Sequence, residues 1–172
     1  MKIYLAGKVP KGDDIEKAID WRKEFINNFS NYDPPIELLD PEDPQLDESI
    51  PLSVFGHDCY LIKKADLVII NASLKLGVGT AQEMLIAKYF SKPVITLLPK
   101  NTHHRRENLK MHKGIVKDWI HPFIYSLSDE IFEDISAIKI WVDNNRLKLE
   151  TLVIKDITII QKGIDEYLKL HK

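Results

Sequence analysis

One cysteine, Cys59, is all the thiol chemistry that this 172-residue chain carries. An intrachain disulfide is therefore excluded, as is a zinc site built from paired cysteines, and a reducing, cytoplasmic setting is the natural fit. Long apolar runs are missing as well, since no window approaches the roughly 20 consecutive apolar residues of a membrane span. The opening Met1-Lys2-Ile3-Tyr4-Leu5-Ala6-Gly7 is too short an apolar stretch for a signal peptide and reads as a first strand. Nor is there an excess of either charge. With 24 basic side chains against 26 acidic ones, a net charge of -2, the chain offers no field to hold a long polyanion. A DNA or RNA partner is not expected, whereas a few local charges suffice for a small anionic ligand. Internal repeats and low-complexity tracts are absent too.

What is present suits one ordinary domain. A hydrophobic share of 44% and a charged share of 29% are those of a globular protein, and a chain of this length buries roughly 70% of the surface that its unfolded form exposes. The apolar runs Ile3 to Ala6, Ile36 to Leu39, Leu67 to Asn71 and Val94 to Leu98 are short, rich in branched residues and bounded by Gly, Pro, Asp or Asn, so they read as buried strands. Between them lie helical patterns over Asp13 to Phe29, Ser53 to Lys64 and Thr80 to Tyr89. Strand and helix alternate, which predicts a parallel sheet wrapped by helices on both faces, with ligands bound beyond the carboxyl ends of the strands. A fifth strand is expected at Phe123 to Ser126, then a helix over Ile131 to Val142 capped from Ser128. In the tail, Leu147 to Ile154 reads as strand or helix, and Ile157 to Leu170 as an amphipathic helix. The expected organisation is a flavodoxin-like or Rossmann-like three-layer sandwich over 1–135, with 136–172 as a C-terminal extension packing on it or on a partner subunit.

Chemistry is expected after the strands, and the loop following Leu67 to Asn71 is the first place to look. There Gly77 and Gly79 let the backbone approach a ligand, and Thr80 is placed to cap a helix whose amides point into the site. Glu83 then falls in the first helical turn, where the helix N-terminus favours the carboxylate. The spacing Thr80-x-x-Glu83 equally fits a structural capping box. Taken alone, Tyr4 fits the core of the first strand. Gly7, Lys8, Lys11 and Gly12 form a loop able to hold a phosphate, although it lacks the spacing of a dinucleotide fingerprint or a P-loop.

Tyr4-Leu5-Ala6-Gly7, Asp58 ahead of Ala65-Asp66-Leu67-Val68-Ile69, Gly79-Thr80-Ala81-Gln82-Glu83 and Lys92-Pro93-Val94-Ile95 follow one another over about the first 100 residues. In that order they resemble the nucleoside 2-deoxyribosyltransferase family. The stretch Leu76 to Gly79 is also similar to that of a sister group, the 2'-deoxynucleoside 5'-phosphate N-hydrolases. The resemblance implies that Glu83 is the nucleophile, attacking the anomeric carbon to form a covalent deoxyribosyl-enzyme. It implies that Asp58 holds the sugar and assists proton transfer to the leaving base, and that Tyr4 orients the nucleophile. Asn108 resembles an asparagine lent to a neighbouring subunit's site, which implies a homo-oligomer with shared active sites. Physical chemistry agrees with these roles: an oxocarbenium-like transition state is stabilised by a carboxylate beneath the anomeric carbon, and a second carboxyl near the base must spend part of the cycle protonated. No metal or organic cofactor is expected. The implied substrate is a small deoxynucleoside or deoxynucleotide of salvage metabolism, and the sugar passes to another base or to water.

One departure bears on the substrate. Six residues before the nucleophile the transferases commonly carry Asp and the phosphate-using hydrolases Ser, whereas here the residue is Gly77. A 5'-phosphate would then rely on Lys8, Lys11, Lys75 or the run His103-His104-Arg105-Arg106, each of which is also read simply as a solvated basic residue. The six histidines show no metal-binding spacing, and Ser73 has no histidine at a hydrolase spacing. The charged, proline-rich loop from Asp40 to Glu48 reads as solvated, with a role as a lid over the site as its functional alternative. Asp66 is expected to cap a helix end or the third strand. A non-catalytic nucleotide sensor and a flavin protein are the rival readings.

Overall fold

The computed structural model describes residues 1–8 and 21–171. In chain order its strands are β1 (Lys2–Ala6), β2 (Glu37–Leu39), β3 (Leu67–Asn71), β4 (Val94–Leu97), β5 (Arg105–Met111), β6 (Gly114–Ile120) and β7 (Glu130–Phe132). The helices are α1 (Trp21–Phe29), α2 (Pro51–Lys64), α3 (Val78–Tyr89), α4 (Pro122–Leu127), α5 (Ile135–Asn145) and α6 (Ile159–Leu170). Strands β1, β2, β3, β4 and β7 form one parallel five-stranded sheet in the order β2-β1-β3-β4-β7, the arrangement of a flavodoxin-like three-layer sandwich.

Because side chains alternate along a strand, the sheet has two apolar faces that need cover. Tyr4, Ala6, Val68 and Ile70 face one side, packed with Ile62 of α2, Met84 and Ala87 of α3, and Ile124 and Leu127 of α4. Ile3, Leu5, Leu67, Ile69 and Ile95 face the other, against Phe25 and Phe29 of α1 and Ile138 and Val142 of α5. The parity of β1 thus aims Tyr4 at α3 rather than at α1.

Several sequence expectations are corrected. Residues Phe123 to Ser126 lie inside helix α4 rather than in a strand. Pro122 sits in the first turn of that helix, where its missing N–H costs nothing. The fifth strand is instead β7, and Asp134, not Ser128, caps the helix that follows, its carboxylate accepting from the Ala137 amide at 2.8 Å. Leu147 to Ile154 contains only a short 3-10 turn at Leu149–Thr151. The antiparallel hairpin of β5 and β6 was not anticipated. The part of the first helical pattern that precedes Trp21, with Lys11 and Gly12, lies outside the described residues. Asp66 accepts the backbone N–H of Lys2 at 2.7 Å, so it ties β1 to the start of β3.

One buried ion pair joins α3, the sheet and the tail. Lys88 is fully buried, and its ammonium is bonded to Asp129 and to the Lys92 carbonyl. Asp129 also accepts from the backbone N–H groups of Val94, at 2.7 Å, and Lys155, at 2.6 Å. Burial pulls the Lys88 pKa down, and Asp129 opposes that shift. Removing one partner of such a pair leaves the other charge uncompensated. Lys88→Met is expected to lower the unfolding free energy by about 3 kcal/mol, read as a fall in the urea midpoint at unchanged slope.

Candidate active site

Beyond the carboxyl ends of β1, β2 and β3 lies a cavity of about 750 Å³. Gly7 and Lys8 reach it from the end of β1, Pro41 to Pro44, Leu46 and Glu48 from the loop after β2, and Gly77, Gly79, Thr80 and Glu83 from the loop and helix after β3. Val54 and Asp58 of α2 complete the described lining. The strand order changes direction between β1 and β3, and crevices form at such switch points because the two connections leave on opposite faces.

Glu83 is 8% exposed, and its Oε1 accepts the Tyr4 hydroxyl at 2.8 Å. Oε2 is shielded from water and has no hydrogen-bonding partner among the described residues. Burial raises the Glu83 pKa to about 7, and the Asp58 charge adds to the rise. The Tyr4 hydrogen bond opposes it most strongly, followed by Arg22 and the Thr80 hydroxyl. Tyr4 itself is fully buried, and desolvation together with the Glu83 charge holds its hydroxyl far above the usual phenol range, so it remains a donor. Asp58 is half-buried, with Oδ1 3.3 Å from Nδ1 of His57.

Helix α3 begins after Gly77, which takes extended backbone angles, and no side chain caps it. The expected Thr80 cap is therefore corrected: Thr80 is buried within the first turn and Glu83 falls in the second. Farther from the terminus the helix field is weaker, which leaves Tyr4 as the larger stabiliser of the carboxylate. A Cβ placed on Gly77 or Gly79 would meet none of the described residues within 4 Å, so those residues do not exclude a side chain at either position. Gly7 differs, because a Cβ there would lie 2.5 Å from Cζ2 of Trp21.

Of the residues singled out from the sequence, Glu83, Asp58, Gly7, Lys8, Gly77, Gly79 and Thr80 line one cavity, with Tyr4 bonded to Glu83 behind it. Asn108 does not share it: exposed in β5 with a φ of 52°, it is absent from the described lining. The Asp40 to Glu48 loop does reach the cavity. Sequence reading overlooked Arg22, 2% exposed, whose Nε lies 3.2 Å from Asp40 Oδ1 and whose Nη1 lies 3.3 Å from Glu42 Oε1. Its Nη2 donates to the Gly7 carbonyl at 3.4 Å. The missed signal is a charged residue three positions ahead of Phe25, in register with the apolar pattern of the sequence. No group of three or more His, Cys, Asp or Glu among the described residues is arranged to hold a metal ion. Likewise, no described helix is long and apolar enough to cross a membrane.

No protein-family model matches the chain, and no curated protein sequence does so either. Solved structures do share its fold. A 2-deoxyribosyltransferase from Leishmania mexicana aligns with a TM-score of 0.60 at 18% identity, over 84% of this chain and 97% of its own. One from Bacillus psychrosaccharolyticus gives a TM-score of 0.52 at 20% identity, over 91% and 98%. A CMP N-glycosidase from Clostridium botulinum gives 0.50 at 16% identity, over 84% and 99%. At these identities the likeness is one of fold, and the chain spans nearly the full length of each neighbour.

Raising the folded pKa of Glu83 from 4.5 to about 7 has a consequence for stability. Protonated Glu83 suits the site, so its burial costs nothing below pH 4.5, and the penalty grows as pH rises and levels off above about 7. Glu83→Gln, which stays neutral, is expected to unfold at a higher temperature than the parent at pH 8, by a margin on the order of 3 kcal/mol. At pH 4.5 the two should nearly coincide. Calorimetry at both pH values checks this.

Proposed function

We propose that this protein cleaves the N-glycosidic bond of 2'-deoxynucleosides by double displacement through Glu83 and hands the sugar to a second nucleobase. The observation that carries the reading is the buried Tyr4–Glu83 hydrogen bond at the edge of a cavity that also holds Asp58. Glu83 attacks C1' as the C1'–N bond breaks, and the departing base takes a proton from Asp58. A deoxyribosyl ester remains on Glu83. An incoming base then attacks C1', the ester bond breaks, and Asp58 recovers a proton from the new nucleoside. Tyr4 holds one carboxylate oxygen, so the other is left for bond formation, and the helix-first amides beside Gly77 and Gly79 supply neutral donors to the ligand.

A second reading, hydrolysis of a deoxynucleoside 5'-monophosphate, is suggested by the fold shared with the CMP N-glycosidase. Charge argues against it. Glu42, Asp43, Glu48, Asp58 and Glu83 line the cavity with Lys8 the one cation among the described lining residues; Arg22 behind them offsets one charge and is shared between Glu42 and Asp40. The other basic candidates are engaged or lie elsewhere: Arg105 is bonded to Asp118 and to the Leu98 carbonyl, and Lys75, His103 and Arg106 are not part of the lining. Segment 9–20 carries Lys11 and Lys17 against Asp13, Asp14, Glu16 and Asp20, so its sequence adds no net positive charge. A dianion in such a field is repelled.

Incubation with deoxyinosine and free adenine, followed by chromatography, is expected to yield deoxyadenosine, with deoxyinosine monophosphate turned over at least about tenfold more slowly for like-charge repulsion. Glu83→Ala should abolish exchange, a loss on the order of 10³ or more in kcat. Tyr4→Phe removes the bond that lowers the Glu83 pKa, so the acidic limb of its rate profile should move to higher pH. Free base released without exchange would make the protein an N-hydrolase. Binding without any turnover would favour the sensor.

A further inference from the structure

The loop that carries Gly77 crosses from β3 to α3, and two side chains hold it. At its start, Asn71 Oδ1 accepts both the amide of Ser73, at 3.1 Å, and its hydroxyl, at 2.6 Å. At its end, the Leu76 amide donates to Nε2 of His104 at 2.9 Å, across 28 residues of chain. We propose that His104 is a positioning residue for the chemistry at Glu83: by accepting the Leu76 amide it fixes the glycine loop and with it the entry of helix α3. The inference rests on the functional reading given above.

His104 is well anchored for this work. It is 8% exposed, and its carbonyl accepts the amide of His121, which opens α4. Its chain neighbour Arg105 makes two bonds to Asp118, at 2.9 and 2.7 Å, and one to the Leu98 carbonyl at 3.2 Å. The His104 ring stands edge-on to those of His103 and His121. To accept at Nε2 the imidazole must be neutral with its proton on Nδ1. The surroundings favour a neutral ring: burial, with added repulsion from His103, His121 and Lys75, lowers the His104 pKa to about 4, and the Leu76 amide at Nε2 sets the tautomer, with Nδ1 buried and without a partner among the described residues. Leu76 is followed at once by Gly77, whose carbonyl accepts the Ala81 amide in the first turn of α3. Glu83 lies one turn further on the same rigid element. A displacement of about 1 Å at a reacting group can cost two orders of magnitude in rate.

Two substitutions separate acceptor from bulk. His104→Phe keeps a ring but cannot accept, whereas His104→Gln offers an amide oxygen close to the position of Nε2. Amide hydrogen exchange at Leu76 and steady-state transfer kinetics are measured on the full chain for both, with thermal unfolding as the check on folding. His104→Phe is expected to speed Leu76 exchange at least about tenfold and lower kcat by about tenfold or more, with a smaller change in KM. His104→Gln should restore both. The proposal is overturned if Leu76 exchange is the same in all three proteins, if exchange rises while kcat stays at the parent value, or if Gln fails as badly as Phe while still folded. A parent protein that protects Leu76 yet turns over no deoxynucleoside would instead mark failure of the functional reading.

Discussion

A carboxylate nearly closed off from water must be held by something, and here the holder is the phenol of Tyr4. The two residues are 79 apart in sequence and meet only because β1 lies centrally in the sheet and presents Tyr4 to the face covered by α3. Everything that brings them together is ordinary sheet physics: parallel pairing of β1 with β3 in a register that sets Tyr4 opposite Val68, and alternation that sends Tyr4 and Ala6 to one side. A slip of one residue in β1 would turn Tyr4 toward α1 and leave Glu83 without its donor. Register in the sheet and geometry at the carboxylate are one constraint.

The remaining buried charges are placed so that they do not compete for Glu83. Lys88, on the same helix, is satisfied by Asp129 and the Lys92 carbonyl. Arg22 meets Asp40 and Glu42 on the loop that lines the cavity and acts on Glu83 through its field. Lys88 and Arg22 thus each have an acid of their own, and the Arg22 charge lowers the Glu83 pKa without returning it to the ordinary carboxylate range.

The central part of the fold was legible in the sequence. Four short branched runs bounded by turn residues become β1, β2, β3 and β4; the inner three are apolar because strands buried on both faces must be, while β2, at the sheet's edge, keeps Glu37 exposed. The edge of the sheet was harder to read. Phe123, Ile124 and Tyr125 look like a strand, yet only Ile124 is buried, and the sheet is completed by the less conspicuous Glu130–Phe132, half-exposed as an edge strand can be. The hairpin of β5 and β6 escaped because charged and apolar residues share both its faces, which leaves no period of two to detect. At the site, spacing placed Glu83 and the two glycines together, and Asp58 joined them only through the family resemblance. Arg22 and His104 were beyond it, because what they do depends on partners 18 and 28 residues away, Asp40 and Leu76.

Under the proposed double displacement, Glu83 must serve first as nucleophile and then as leaving group, and the two tasks make opposite demands on its basicity. Burial that raises its pKa to about 7 strengthens its attack on C1' but makes the ester slower to part. The slow parting is useful if the first base has to leave and a second has to enter before the sugar is released. Helping the second step falls to the groups that stabilise free carboxylate, and the Tyr4 hydroxyl is the foremost of these. Its hydrogen bond strengthens as negative charge returns to the oxygen and weakens when the ester forms. On this proposal Tyr4 moderates both half-reactions and lets one buried acid perform them at neutral pH.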